Sequence, residues 1–429
     1  MSSDEQPGGS RSGLGHIGPA IITASVVIGP GSILTASKIG QSYGYQMIWI
    51  PVLAALLMFG MTTLSARLGV LLDGTLCDEL AQRAGRPVAV VAGLSLFLIT
   101  ACFQFGNNTG VLAAIEPFYE SGKMLPILVI VALNAVIIVA LFGFRSLYQP
   151  VERLMKVLVG LMIVGFAGNL LMARPDILEI LSGLVPHWQV TMVEVEANRS
   201  ETLGSQLPLL TPLFATTFSV AAAFYQSYLV RQKGWTDKHL RQGLIDTGVG
   251  VGVLGLITLL ILITAASQLH GKGVVLNSAA DVAVQLEPAF GPVAKVLFCL
   301  GIFAGAFSSF LVNAMIGGAM LADGLGCGGY LDQKWPKRFT VLVLLIGMIV
   351  AIAMTLTGQK PVNLIIFAQA ITVLGFPVLA GVMVWLSTRS DIREKRRISP
   401  GIRLLAWVGL ALTLVLAVKQ ASGLYARFG

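Results

Sequence analysis

A chain of 429 residues with 55% hydrophobic and only 12% charged side chains is not a soluble globular domain, in which roughly 25% of residues are charged. Its net charge of +8 follows from the topology described below and excludes nothing but an acidic surface; it gives no reason to expect nucleic acid as a partner. The four cysteines at 77, 102, 299 and 327 form no CxxC pair, which excludes a zinc ribbon and a disulfide framework, and Cys102 and Cys299 read as small hydrophobes in helix packing.

Residues 1–16 are polar, rich in Gly and Ser, and are expected to form a disordered cytoplasmic tail. Apolar runs of about 20 residues, the length that crosses a hydrocarbon layer of roughly 30 Å, then recur to the end of the chain. We place eleven transmembrane spans near 18–40, 44–69, 87–112, 124–143, 149–173, 207–230, 243–267, 292–320, 339–357, 362–387 and 402–421. The first lacks the short h-region and small-residue cleavage site of a signal peptide and is read as a retained span. The fold class is therefore an all-α polytopic membrane protein whose surroundings are the lipid bilayer.

Orientation follows from the basic residues. With the N-terminus in the cytoplasm, the inner side collects 20 of the 29 Lys and Arg, and an odd number of spans leaves the C-terminus outside. The run "REKRR" (393–397) is a solvated cytoplasmic loop beside anionic lipid. "GVGVLG" (250–255) matches the dinucleotide fingerprint, but that motif needs a preceding strand and a soluble βαβ unit. Inside a membrane helix, small residues at this spacing let helices approach closely, and "GIFAG" (301–305) reads the same way.

Two spans are interrupted. "VVIGPGSILTAS" (26–37) puts Gly-Pro-Gly-Ser at the centre of a helix-length apolar stretch, although Gly costs a helix interior about 1 kcal/mol and Pro about 3. "TPLFATTFSVAAAFYQSYLV" (211–230), five spans later, carries hydroxyls, alanines and Tyr-Gln-Ser-Tyr where its neighbours carry Leu, Ile and Val. Two halves of five spans, each opening on a broken helix, predict an inverted repeat with a site at the bilayer midplane, as in secondary transporters. Residues 29–32 and 216–222 are expected to be non-helical and to face each other. The divisions are 1–16, a first five-helix repeat over 17–173, an extracytoplasmic loop over 174–206, a second repeat over 207–388, and a basic loop with the eleventh helix over 389–429.

These stretches, with "QSYGYQMIWI" (41–50), "AFYQSYLV" (223–230), "AGAFSSFLVNAMIGGAM" (304–320) and "NLIIFAQAITVLGFPVL" (363–379), resemble the NRAMP family of divalent metal transporters. The resemblance implies a LeuT-type 5+5 fold, no enzymatic activity, no cofactor, and an integral protein of a bacterial inner membrane. It also shows where this chain departs. The family's Asp ligand falls on Gly29 and its Asn ligand on Ser32. Its sixth-helix Met-Pro-His-Asn falls on Ser219-Val220-Ala221-Ala222, and its second histidine on Gln226. The third-helix Asp and Glu fall on Gln104 and Asn107, and a tenth-helix glutamine on Gly375.

The resemblance then implies a substrate site of Gly29, Gly31, Ser32, Thr216, Ser219, Gln226 and Gln369, with Gly29, Ser32, Thr216 and Ser219 as the ion's ligands. Gln104, Asn107, Ala221 and Ala222 would line the pathway. All 21 Asp and Glu lie in loops or near helix ends, with Glu116, Glu152 and Asp246 nearest a span, and the histidines at 16, 187, 239 and 270 are peripheral. Transport of a divalent cation with altered selectivity (hydrated Mg²⁺ among the candidates) and without proton coupling is the expectation. A small organic solute such as an amino acid, or a transport-inactive scaffold or sensor, are the alternatives.

Overall fold

The first described helix, α1 (Pro30–Tyr43), starts on the motif that interrupts the first span. Gly29 is its N-cap in extended conformation (φ −122°, ψ −175°) and Pro30 is the first helical residue. Proline is favoured there because the missing N–H is one the helix end would leave unsatisfied, and its fixed φ suits the helix. Of the four residues expected to be non-helical, Pro30, Gly31 and Ser32 are therefore helical. The computed structural model describes residues 29–119, 124–143, 160, 163–172, 175–186, 189–193, 198–330, 333–394 and 398–428. The N-terminal tail, residues 18–28 of the first span, most of 149–173, Glu152, His16, His187 and residues 395–397 lie outside them.

The helices that follow are α2 (Trp49–Leu71), α3 (Leu76–Ala84), α4 (Arg86–Ile115) and α5 (Met124–Gly143), then α6 (Ile163–Met172). The second half holds α7 (Leu203–Thr217), α8 (Val220–Gln232), α9 (Leu240–Leu269), α10 (Ala294–Gly324), α11 (Lys334–Leu356), α12 (Pro361–Thr372), α13 (Phe376–Thr388) and α14 (Pro400–Phe428). Among the described residues, eight segments are long and apolar enough to cross a membrane; α5 and α6 hold shorter apolar stretches (Met124–Val139 and Ile163–Met172), and α1 is a 14-residue helix at the first expected position. The loop expected over 174–206 is not wholly irregular: β1 (Gln189–Val193) and β2 (Asn198–Thr202) pair antiparallel there, so the all-α description holds for the membrane part and not for this hairpin.

Burial separates inner from outer helices. The best span window within Leu210–Gln232 is 100% buried, against 28% for Lys334–Leu356 and for Pro400–Tyr425. The segment with irregular backbone is thus surrounded by protein, where its freed polar groups can be met, and α11 and α14 form the periphery. Between α7 and α8 only Phe218 and Ser219 leave the helix. The Phe218 N–H still reaches the Phe214 carbonyl (2.7 Å), while Ser219 is extended (φ −79°, ψ 92°) and its Oγ accepts from the Ala222 N–H at 3.4 Å. The expected break over 216–222 is shorter because Ala221–Ala223 are strong helix formers and the serine cap starts α8 at once.

Glycines set the closest crossings. A Cβ at Gly93 of α4 would lie 2.5 Å from the Met320 carbonyl of α10, and one at Gly324 would lie 2.7 Å from the Ala89 carbonyl, so these two helices touch backbone to backbone. Gly255, from the discarded nucleotide motif, sits against Ala55 of α2 with 3.0 Å for a Cβ. Polar ties fix α8 to α2: Ser65 Oγ donates to the Phe224 carbonyl at 3.2 Å, and the Arg231 guanidinium donates to the Leu72 and Asp73 carbonyls at 2.6 Å each. That cation satisfies carbonyls at the C-terminal end of α2.

On the same end of the molecule, Arg83 of α3 pairs with Glu79 (2.7 Å) and with Asp391 (2.7 Å) of the segment between α13 and α14. The hydrogen bond from Arg83 holds the Asp391 carboxyl below the usual carboxylate range. A depressed folded-state pKa stabilises above the unfolded value of about 3.9 and is lost as pH falls through the folded value. Asp391 is half exposed, so the effect is about 1 kcal/mol or less. In detergent, Asp391→Asn should lower the melting temperature slightly at pH 7, and the difference from the parent should vanish at a pH below the folded value.

Candidate functional site

The start of α1 and the α7–α8 break meet across one cavity. Gly29, Gly31 and Ser32 line it from α1 and its cap; Ala215, Thr216 and Ser219 line it from the break. Phe103 and Asn107 of α4, Ser309 and Asn313 of α10, and Gln369 of α12 complete the wall. The cavity's volume is about 20 Å³, and one water needs roughly 10–15 Å³. The space suits one or two waters, or an ion of that size.

The two glycines have different uses. A Cβ on Gly31 would fall 2.3 Å from Gln369 Nε2, so the absence of a side chain lets that amide lie against the α1 backbone. A Cβ on Gly29 would fall 2.9 Å from Ser309 Oγ and 3.8 Å from Asn107 Oδ1. Ser309 therefore occupies the space that a side chain at position 29 would need.

The amide of Asn107 is oriented from behind. Its Nδ2 donates to Gln104 Oε1 at 3.4 Å, and Gln104 Nε2 donates to the Phe310 carbonyl of α10. With its nitrogen turned to Gln104, Asn107 presents its oxygen on the Gly29 side. One turn further, Asn108 Nδ2 bonds the Gln104 carbonyl (2.9 Å), and Asn134 of α5 donates to Asn108 Oδ1 (2.7 Å). Neutral amides thus run from the cavity wall to α5.

Some of the N–H groups at the helix starts are already engaged. Pro30 has no N–H, the Ser32 N–H turns back to the Gly29 carbonyl at 3.1 Å, and the Ala222 and Ala223 N–H groups are taken by Ser219 Oγ and the Ser219 carbonyl. Thr216 Oγ1 donates to the Leu213 carbonyl (3.1 Å), which leaves its lone pairs for the cavity. Every side-chain heteroatom in the wall belongs to a hydroxyl or an amide, and among the described residues no group of three or more His, Cys, Asp or Glu could hold a metal.

Of the residues singled out from sequence, Gly29, Gly31, Ser32, Asn107, Thr216, Ser219 and Gln369 come together. Gln226 is buried but does not line the cavity: it stands seven residues beyond Ser219, about 10 Å along the helix axis at 1.5 Å per residue. Gln104 lies behind Asn107, and Ala221 and Ala222 pack into the apolar core. Ser309 and Asn313 were missed. Their signal was two polar residues one helical turn apart in "SSFLVN" (308–313). The acids also need correction: Asp323 lies near a helix end, as expected, yet is only 2% exposed.

The profile of natural resistance-associated macrophage protein-like (Nramp) proteins matches residues 20–421. The divalent metal cation transporter MntH of Deinococcus radiodurans is 25% identical over 420 residues, with 96% of this chain and 90% of that one covered. A crystal structure of a mutant manganese transporter from Eremococcus coleocola superposes with a TM-score of 0.76 at 18% identity, covering 100% of this chain and 92% of its own. A nucleobase-cation-symport-1 family transporter in a closed conformation shares the fold more distantly, with a TM-score of 0.54 at 14% identity over 96% of this chain and 92% of its own. The chain is an integral membrane protein that belongs to the Nramp family, whose members are transporters and not enzymes.

Proposed function

We propose that this protein carries a divalent metal cation through the cavity between Gly29 and Ser219, with relaxed selectivity and without proton coupling. The carrying observation is the chemistry of the wall: Ser32, Asn107, Thr216, Ser219, Ser309, Asn313 and Gln369 offer neutral oxygen and neither thioether, imidazole nor carboxylate. Oxygen donors suit hard cations, and Mg²⁺ keeps several of its waters, whereas the softer donors that favour Mn²⁺ and Fe²⁺ are missing. With no counter-charge the site binds weakly, which fits a carrier that must release its cargo. Gly29, Ser32, Thr216 and Ser219 are the proposed ligands, and Gln226, Gln104, Ala221 and Ala222 belong to the route or its supports.

The cavity's size supports an ion over an amino acid, since a solute of several heavy atoms exceeds one or two waters. Inverted five-helix repeats over 17–173 and 207–388, flanked by the loop 174–206 and the segment 389–429, with the N-terminus cytoplasmic, complete the reading. Uptake into proteoliposomes tests it. Mg²⁺, Mn²⁺ and Ca²⁺ should each enter and compete with one another, and a panel of amino acids should neither enter nor compete. Amino-acid uptake without cation uptake would favour the solute alternative, and no uptake of either the scaffold.

A further inference from the structure

A second cavity lies further along α8, lined by Thr75, Tyr225, Tyr228, Gly329 and Tyr330 among others. Tyr228 stands nine residues beyond Ser219, about 14 Å along the helix, at the end where Arg83, Arg86 and Arg231 gather. Its ring stacks on Tyr225 with centroids 6.1 Å apart. Its hydroxyl donates to Asp323 Oδ2 at 2.6 Å and accepts from the Cys77 N–H at 3.4 Å. Arg86 spans from α4 to the Asp323 carbonyl at 3.3 Å, but among the described residues Arg83 is the cation found in an ion pair. The buried Asp323 carboxylate is thus held by the Tyr228 hydroxyl with the Thr75 hydroxyl beside it, and among the described residues no Lys or Arg lies within ion-pair distance of it.

Gly329, Tyr228 and Thr75, all of which line the cavity, lie against that carboxylate. A Cβ on Gly329 would lie 3.0 Å from Asp323 Cγ and 3.2 Å from Oδ1. The bond also joins two groups of helices: α8 is tied to α2 through Ser65 and Arg231, whereas Asp323 ends α10, which packs backbone to backbone on α4.

Resting on the cation-transport reading, we propose that the Tyr228–Asp323 bond closes the inner exit, and that the carboxylate, once released by Tyr228, is a transient site for the departing divalent cation. The central cavity gives the ion no counter-charge, and Asp323 gives it one on the way out. Opening separates α8 from α10, removes the hydroxyl from Oδ2, and turns the carboxylate toward the cavity past Gly329, where no side chain obstructs it.

Cys77 is a native reporter. Its side chain is fully buried, so a reagent in water reaches it only when the latch opens. In a chain with Cys102→Ala, Cys299→Ala and Cys327→Ser, a maleimide applied from the basic side should label Cys77 slowly. Tyr228→Phe removes a hydrogen bond to a charged group and should raise the labelling rate about tenfold or more. Asp323→Asn keeps an acceptor for the hydroxyl and removes the charge; labelling should stay within about twofold of the parent, while Mg²⁺ and Mn²⁺ uptake falls on the order of tenfold. A purely structural pair would show the same change in both variants. Unchanged labelling in folded Tyr228→Phe, or unchanged uptake in Asp323→Asn, overturns the proposal. Should Tyr228→Phe not fold, labelling of the parent with and without a Mg²⁺ gradient decides: faster labelling with the gradient supports the latch, and an equal rate overturns it. If the parent moves no cation, the transport reading fails, and Tyr228→Phe labelling still reports on the latch.

Discussion

The triple variant Gly29→Asp, Ser219→Met, Ser309→Ala should change a permissive cavity into one that prefers Mn²⁺ to Mg²⁺ by about 100-fold or more. A unit counter-charge about 4 Å from a divalent ion contributes ~8 kcal/mol at an effective dielectric near 20, part of which is lost to desolvating the carboxylate. This tightens binding of both ions alike, and the preference between them comes from the thioether. The thioether adds the preference for softer ions that oxygen lacks. The third substitution is dictated by geometry, because Ser309 Oγ lies 2.9 Å from where a Cβ at position 29 must go. The double variant without Ser309→Ala should gain less, since that hydroxyl must first move aside. Competition of labelled Mn²⁺ uptake by Mg²⁺ and Ca²⁺ measures both. The parent should be blocked by Mg²⁺ in modest excess; if Mn²⁺ uptake by the parent resists a large excess of Mg²⁺, the assignment of neutral ligands is wrong.

The fold was legible because membrane spans are written in composition and length, and the two breaks because Gly-Pro-Gly and a run of hydroxyls are rare in the middle of an apolar helix. The extent of the breaks was less so. Gly-Pro-Gly-Ser signals both an interruption and a good helix start, and only the structure shows that the helix resumes at Pro30. Thr216 and Ser219 were legible as neighbours of a break. Gln226 was misplaced because it shares the face of Ser219 but stands two turns further along it. Ser309 and Asn313 lie in an unbroken helix, so no backbone signal marked them. The burial of Asp323 depends on Tyr228, which is 95 residues away in sequence, and no local pattern carries that information.

Transport should also be nearly flat between about pH 6 and 8. Proton-coupled carriage needs a group whose charge changes between the two sides of the membrane, and His or a perturbed carboxylate are the side chains that do so. The cavity wall contains neither. The positions to which the family resemblance assigns such groups hold Gly29, Gln104, Asn107, Ala221 and Gln226, and none of these side chains titrates near neutrality. Glu116 is at the end of α4 and Asp246 in the second turn of α9. Asp323, bound to Tyr228 about 14 Å along the helix from Ser219, meets the ion only at the inner exit, where it exchanges the Tyr228 hydroxyl, and not a proton, for the cation. On the proposed reading, the substrate's own gradient or another ion drives the cycle.

The most direct measurement records divalent cation uptake and internal pH in the same proteoliposomes, which contain a trapped pH dye and no imposed pH gradient. Adding Mg²⁺ or Mn²⁺ outside, with the membrane potential clamped, should produce uptake with no acidification of the interior. Acidification that begins with the added cation, scales with its uptake and is absent from protein-free vesicles would contradict the account.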